Sequence, residues 1–139
     1  MDHDKLRAEL TRDEGDIPHA YQDSLGYRTI GIGHLIDKRK GGKLSDAARK
    51  FIFEEDLAEK EADLDKHLPW WRELSDARQR VLVNMCFNLG IGGLLGFKNT
   101  LAYIKAGEYK KAAAGMLNSL WAKQVGARAT RLAKMMEEG

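Results

Sequence analysis

Glu14 and Asp23 stand nine residues apart, and the chain changes character between them. Carboxylates on two different elements can face each other across a groove, as two on one helix face cannot. Glycoside hydrolysis uses such a pair. One carboxyl is held protonated and donates to the leaving oxygen; the other stays ionised and activates water or stabilises an oxocarbenium-like centre. Leu6 and Leu10, at i and i+4, predict a helix over about 4–14, ended by Gly15 and barred from continuing by Pro18. Glu14 then sits at the negative pole of that helix, which suits a proton donor. Asp23 falls among turn residues, where water keeps it charged. The pair alone is not decisive, because 21 acidic residues offer many such spacings and ordinary surface carboxylates are the competing reading. Thr29 has a hydroxyl able to orient a water, or is simply a good strand former. His34 reads as structural or catalytic. Gly31 and Gly33 begin a dinucleotide-type glycine pattern, but Ile36 occupies the third glycine position and no helix follows at once. Glu14, Asp23 and His34 lack a helical ligand pair, so neither a metal nor another cofactor is expected.

The elements that must position these residues follow from periodicity. Tyr21, Tyr27, Thr29, Ile30 and Ile32, with Asp23, Ser24 and Gly26 as turn residues, predict a hairpin or three-stranded patch. Residues 37–43 read as a polar loop. Ser45 is a candidate N-cap for a long helix to about Lys66, with an apolar stripe through Phe51, Ile52, Leu57 and Leu64. Pro69 breaks the chain and Ser75 caps the next helix, which is apolar nearly all round over 81–89 and so belongs inside a bundle. Further helices are expected near 98–106, 108–118 and 126–137. The fold class expected is α+β in one domain: a β lobe over about 15–44, a connecting helix over 45–66, and a helical lobe over 70–139 that includes the N-terminal helix. A cleft is expected between the lobes.

Several stretches together are recognisable. Arg12-Asp-Glu-Gly15, Tyr21-Gln-Asp23 and Gly26-Tyr-Arg-Thr-Ile-Gly-Ile-Gly-His34 closely resemble the active-site stretch of the phage lysozymes of glycoside hydrolase family 24, T-even type. Downstream, Ala77-Arg, Asn84-Met-Cys-Phe-Asn-Leu-Gly90, Gly96-Phe-Lys-Asn-Thr100, Ser119-Leu-Trp-Ala-Lys-Gln124 and Arg128-Ala129 resemble that family's helical lobe. The resemblance implies a lysozyme-like fold and cleavage of the β-1,4 bond between N-acetylmuramic acid and N-acetylglucosamine in peptidoglycan, generally with inversion. It makes Glu14 the general acid, Asp23 the second carboxylate, and Thr29 the group that helps place the attacking water. Leu35, Phe87 and Thr100 match positions lining the saccharide cleft, Thr100 standing where serine is usual. Gln124 and Arg128 match a polar edge beside the acid. The resemblance further implies that Arg128 stands beside Glu14, where a contact between them is expected, and that His34 pairs with Asp56 to tie the β lobe to the connecting helix; Arg131, three residues on and on the same helix face as Arg128, is expected to reach Asp13. The segment 37–43 is shorter than in the family, the chain ends before the family's final helical stretch, and Gly115 stands where a polar substrate-binding residue can occur.

Composition is compatible with this. The 139 residues are 43% apolar and 32% charged, with a net charge of +2. Residues 98–139 carry eight Lys or Arg against three Asp or Glu, a surplus of five suited to a polyanionic partner or to a solvated surface. Cys86 is the single cysteine, which excludes an intramolecular disulfide. Met1–Leu10 is too charged for a signal peptide, and no apolar run is long enough to span a membrane. The expectation is a monomeric muramidase of a phage or prophage that lyses its host, with no wall-binding module, no nucleic-acid partner and no stable membrane insertion. By resemblance it waits in the host cytoplasm until a holin-type pore releases it to the periplasm. The rivals are a lytic transglycosylase, which needs one carboxylate, and a non-enzymatic wall-binding or membrane-active module.

Overall fold

The computed structural model describes the backbone of residues 1–14, 17–22, 28–31, 34–35 and 45–139, and the side chains of 1–14 and 45–139. The chain divides into two compact units, His3–Glu59 and Lys60–Gly139, the second joined by Met1–Asp2.

In the first unit, helix α1 (His3–Glu14) buries Leu6 and Leu10 one turn apart. Strands β1 (Ile17–Gln22), β2 (Arg28–Gly31) and β3 (His34–Leu35) pair antiparallel in the order β1-β2-β3. Tyr21 pairs with Thr29 and Gln22 with Arg28, and an irregularity separates these pairs from Ile17–Gly31. Thr29 pairs onward with Leu35, and Ile30 with His34. Helix α2 (Asp46–His67) begins where Ser45 Oγ accepts the Ala48 N–H at 3.1 Å, and its first fourteen residues belong to this unit. Its buried face runs through Phe53, Leu57 and Leu64, and Phe51 is 61% exposed. At about 100° per residue, positions 53, 57 and 64 fall within roughly 40° of one another while 51 lies on the opposite side. The apolar stripe expected through Phe51 is therefore corrected to Phe53, over which Arg7 places its guanidinium at 5.8 Å.

The expected α+β class also requires correction. Over the residues with described side chains, 1–14 and 45–139, the chain is 86% helical and contains no strand or sheet. Among the described residues, what pairs as strand is three short segments within 17–35, joined by two backbone ladders, the last strand of two residues. Among the residues with described side chains the fold is helical, because the apolar surface they bury is presented at helical spacing.

The second unit is built on helix α3 (Asp76–Leu95). Ser75 caps it, Oγ accepting the Arg78 N–H at 3.3 Å. Val81, Leu82, Val83, Asn84, Met85 and Cys86 are all buried, so over 81–86 the helix is enclosed on every side. Gly90, at φ 72° and ψ 165°, breaks its regular path, a conformation open to glycine. Around it stand α4 (Lys98–Lys105), α5 (Tyr109–Leu117), α6 (Leu120–Val125) and α7 (Ala127–Glu138), with α5 packed chiefly on α7 and α4. The short α6 was not expected. Ser119 caps it, and six residues are too few to carry a period. Arg78 closes the far end of α7, donating to the carbonyls of Met136 at 2.7 Å and Glu137 at 3.0 Å while stacking on Tyr109. The chain's start joins this unit because the Asp2 N–H donates to Asp76 Oδ1 at 2.5 Å.

Two predictions arise here. Thr100 is 6% exposed, and a Cβ added at Gly115 would stand 2.6 Å from its Oγ1 but 3.8 Å from its Cβ. Threonine is stiff in a helix and yields poorly. Gly115→Ala gains about 1 kcal/mol of helix propensity and overpacks by about 1–3 kcal/mol. In a urea-unfolding cycle with Thr100→Ala, the alanine at 115 should be better tolerated by about 1–2 kcal/mol than in the wild type. Zero coupling would refute the contact.

The second concerns the 3₁₀ turn Pro69–Glu73, where Pro69 ends α2. Asp65 accepts from Arg72 Nε at 2.9 Å and Nη2 at 3.1 Å, and from Trp71 Nε1 at 2.7 Å. These bonds, that of Arg72 foremost, hold the Asp65 carboxyl below its ordinary value. Such a carboxylate stabilises the fold above the ordinary value of about 4 and loses that contribution as pH falls through its folded value. Melting temperatures of wild type and Asp65→Asn should differ at pH 6 and converge as the pH drops below about 4. A difference that persists unchanged to pH 2 would rule the ion pair out as its source.

Candidate active site

Glu14 is the last residue of α1 and is half-buried. Its place at a helix end is as the apolar spacing implied. Asp23 lies outside the described residues. Thr29 occupies the middle of the ladder, opposite Tyr21 on one side and Leu35 on the other, and His34 opposes Ile30. The side chains of Thr29, His34 and Leu35 lie outside the described residues, so the expected His34–Asp56 pair does too. Asp56 itself is half-buried on α2.

The remaining matched residues belong to the helical unit. Phe87 is half-buried near the end of the enclosed stretch of α3. Thr100 is almost wholly buried between α4 and α5, packed against Gly115. Gln124 is exposed on α6. Arg128, near the start of α7, is 7% exposed, and its guanidinium is held by Asn84: Nε and Nη2 donate to Oδ1 at 3.0 and 2.8 Å, and Nη2 reaches the Asn84 carbonyl at 3.5 Å. One turn further along α3, Asn88 Oδ1 accepts the indole N–H of Trp121 at 2.6 Å. The Trp121 ring meets Phe97 edge-on at 5.9 Å. Between Trp121 and Arg128 the chain turns at Gly126, at φ 59°.

Asn84 and Asn88 are the residues that sequence reasoning did not assign. A signal was present. Asn84 is the one polar residue in Val81-Leu-Val-Asn-Met-Cys-Phe87, and a polar group in such a run must find a buried partner. An open pocket in the same unit is lined by Leu117, Ala122, Lys123, Gly126, Ala129 and Thr130, and by none of Phe87, Thr100, Gln124 and Arg128. Among the described residues no three His, Cys, Asp or Glu side chains come together as a metal site, and no single helix is long and apolar enough to cross a membrane.

Comparison with known proteins adds the following. The family model described as phage lysozyme matches residues 11–137. The chain is 33% identical to the pre-baseplate central spike protein Gp5 of Enterobacteria phage T4, over 94% of this chain and 27% of that protein. It is 31% identical to probable T4-type lysozyme 1 of Dictyostelium discoideum, over 94% of this chain and 92% of that protein. It is also 31% identical to the peptidoglycan hydrolase gp36 of a Pseudomonas phage, phiKMV, over 94% of this chain and 15% of that protein. The chain thus spans about a quarter of the spike protein and nearly all of the Dictyostelium protein.

Proposed function

The chain belongs to the phage lysozyme family, and from that premise we propose that it is a glycoside hydrolase that degrades peptidoglycan, cutting the β-1,4 bond between N-acetylmuramic acid and N-acetylglucosamine. The observation that carries this reading is the family match over residues 11–137, which takes in every motif of the sequence resemblance from Arg12 to Arg128. Glu14, protonated, gives its proton to the glycosidic oxygen as the bond breaks. Asp23, ionised, faces the developing positive charge or draws a proton from water, and the Thr29 hydroxyl orients that water. Leu35, Phe87, Thr100 and Gln124 contact the saccharide chain; for Thr100 this requires contact through the small part of it that is exposed. Arg128 supports the acid, and His34 with Asp56 supports the strands. The protein acts as a monomer, needs no metal, and lyses a host after release from its cytoplasm.

The relatives support a second reading of the setting. A stretch similar to this chain makes up 27% of a protein named for a phage spike, and on this second reading the chain serves as one module of a larger assembly.

The experiment is product analysis. Digestion of purified peptidoglycan should release fragments with free reducing N-acetylmuramic acid ends, read by mass spectrometry after borohydride reduction. Anhydro-sugar ends would make the protein a lytic transglycosylase. Binding without any release of fragments would make it a wall-binding module.

A further inference from the structure

Asn84 and Asn88 lie one helical turn apart, on the same face of α3. Asn84 holds Arg128 on α7, and Asn88 holds Trp121 on α6. The two anchored residues bracket the Gly126 turn and the exposed Gln124. We propose that Asn84 and Asn88 are positioning residues, which fix the α6–α7 turn from both sides and so set where the exposed Gln124 meets the polysaccharide. The inference rests on the glycosidase reading above.

The chemistry of the anchors favours this role over mere packing. Asn84 is 1% exposed and offers a neutral acceptor to a buried cation. A carboxylate there would neutralise the guanidinium; the amide orients it without adding a charge of its own. Both Nε and Nη2 donate to a single oxygen, which fixes the plane of the fork as well as its position. Asn88 is exposed, and its bond goes to an indole N–H whose ring is 4% exposed and already seated against Phe97. The packing of Trp121 thus needs no help from Asn88, but the rotation of its ring about that seat is set by the bond. The Gly126 turn between the anchors has a backbone conformation with few steric restraints of its own, so the turn takes its place from what holds its two sides.

The test uses the full chain on purified peptidoglycan. Asn88→Leu keeps the size of the side chain and removes the acceptor; Asn88→Asp restores it. Asn88→Leu should melt within a few degrees of wild type, shift the Trp121 indole N–H resonance, and lower kcat/KM by about 10- to 100-fold, the range a small misplacement costs. Asn88→Asp should recover most of that loss. Asn84→Ala should broaden or shift the Arg128 Nε–H resonance and lower kcat/KM similarly; if it does not fold, the Asn88 pair decides. A folded Asn88→Leu with an altered indole resonance and wild-type kcat/KM overturns the proposal. Glu14→Gln in the same assay separates the two readings. Activity there defeats the glycosidase reading, whereas an inactive Glu14→Gln beside an unaffected Asn88→Leu defeats only the positioning role.

Discussion

Glu14→Gln should fold as wild type does and lose about 10²- to 10⁴-fold in turnover of peptidoglycan, the amount general acid catalysis is typically worth. The substitution is close to isosteric and removes only the transferable proton, so the loss belongs to the chemical step and corresponds to about 3–5 kcal/mol of barrier. Asp23→Ala should be damaging as well. Asp23→Glu should retain more than Asp23→Ala, because an ionisable group remains to meet positive charge or to draw a proton from water. Clearing of outer-membrane-stripped cells gives the rates, and far-UV circular dichroism with a melting curve shows that the fold is kept. Wild-type rates in Glu14→Gln would remove Glu14 from the role of acid.

Trp71→Ala carries the largest expected effect on stability. Trp71 is fully buried in the helical unit, its indole N–H bonded to Asp65 and its ring face covered by the Arg72 guanidinium at 4.4 Å. Truncation removes the ring from the core and leaves a cavity, at a cost of about 3–5 kcal/mol. Trp71→Phe keeps most of the apolar volume and loses the N–H donor, so it should cost much less, on the order of 1 kcal/mol for the bond. Urea unfolding at neutral pH measures the difference. Equal losses for Ala and Phe would assign the stabilisation to the hydrogen bond, and a loss under about 1 kcal/mol for Ala would mean that the site collapses around the missing ring.

Much of the helical unit is legible in the sequence. Ser45 and Ser75 start the helices they were expected to start, and the helices near 98–106, 108–118 and 126–137 fall within about two residues of α4, α5 and α7. Caps and periods are local signals that depend on the residues that carry them. Where the signal depended on what a face meets, the reading was weaker. Phe51 and Phe53 are equally apolar, and only the angle to Leu57 and Leu64 distinguishes the buried ring from the exposed one. The three-stranded pairing expected from the β-prone residues is present over 17–35, but such residues mark pairing without setting fold class, and the α+β expectation gives way to the helical character of the residues with described side chains.

The sequence by itself determined the helical spans, the place of Glu14 at the end of α1, the enclosed character of α3 and, through its motifs, the phage lysozyme family. Each of these is written in neighbouring residues or in the order of short motifs. Only the tertiary structure decided that Asn84 holds Arg128 across 44 residues of chain, that Asn88 holds Trp121, that Arg78 closes the end of α7, and that Thr100 is buried against Gly115. The physical reason is the range of the interaction. A cap or an apolar stripe acts within a turn or two of helix. A buried polar group, by contrast, requires a partner without specifying which one, and helix packing, rather than spacing along the chain, selects it.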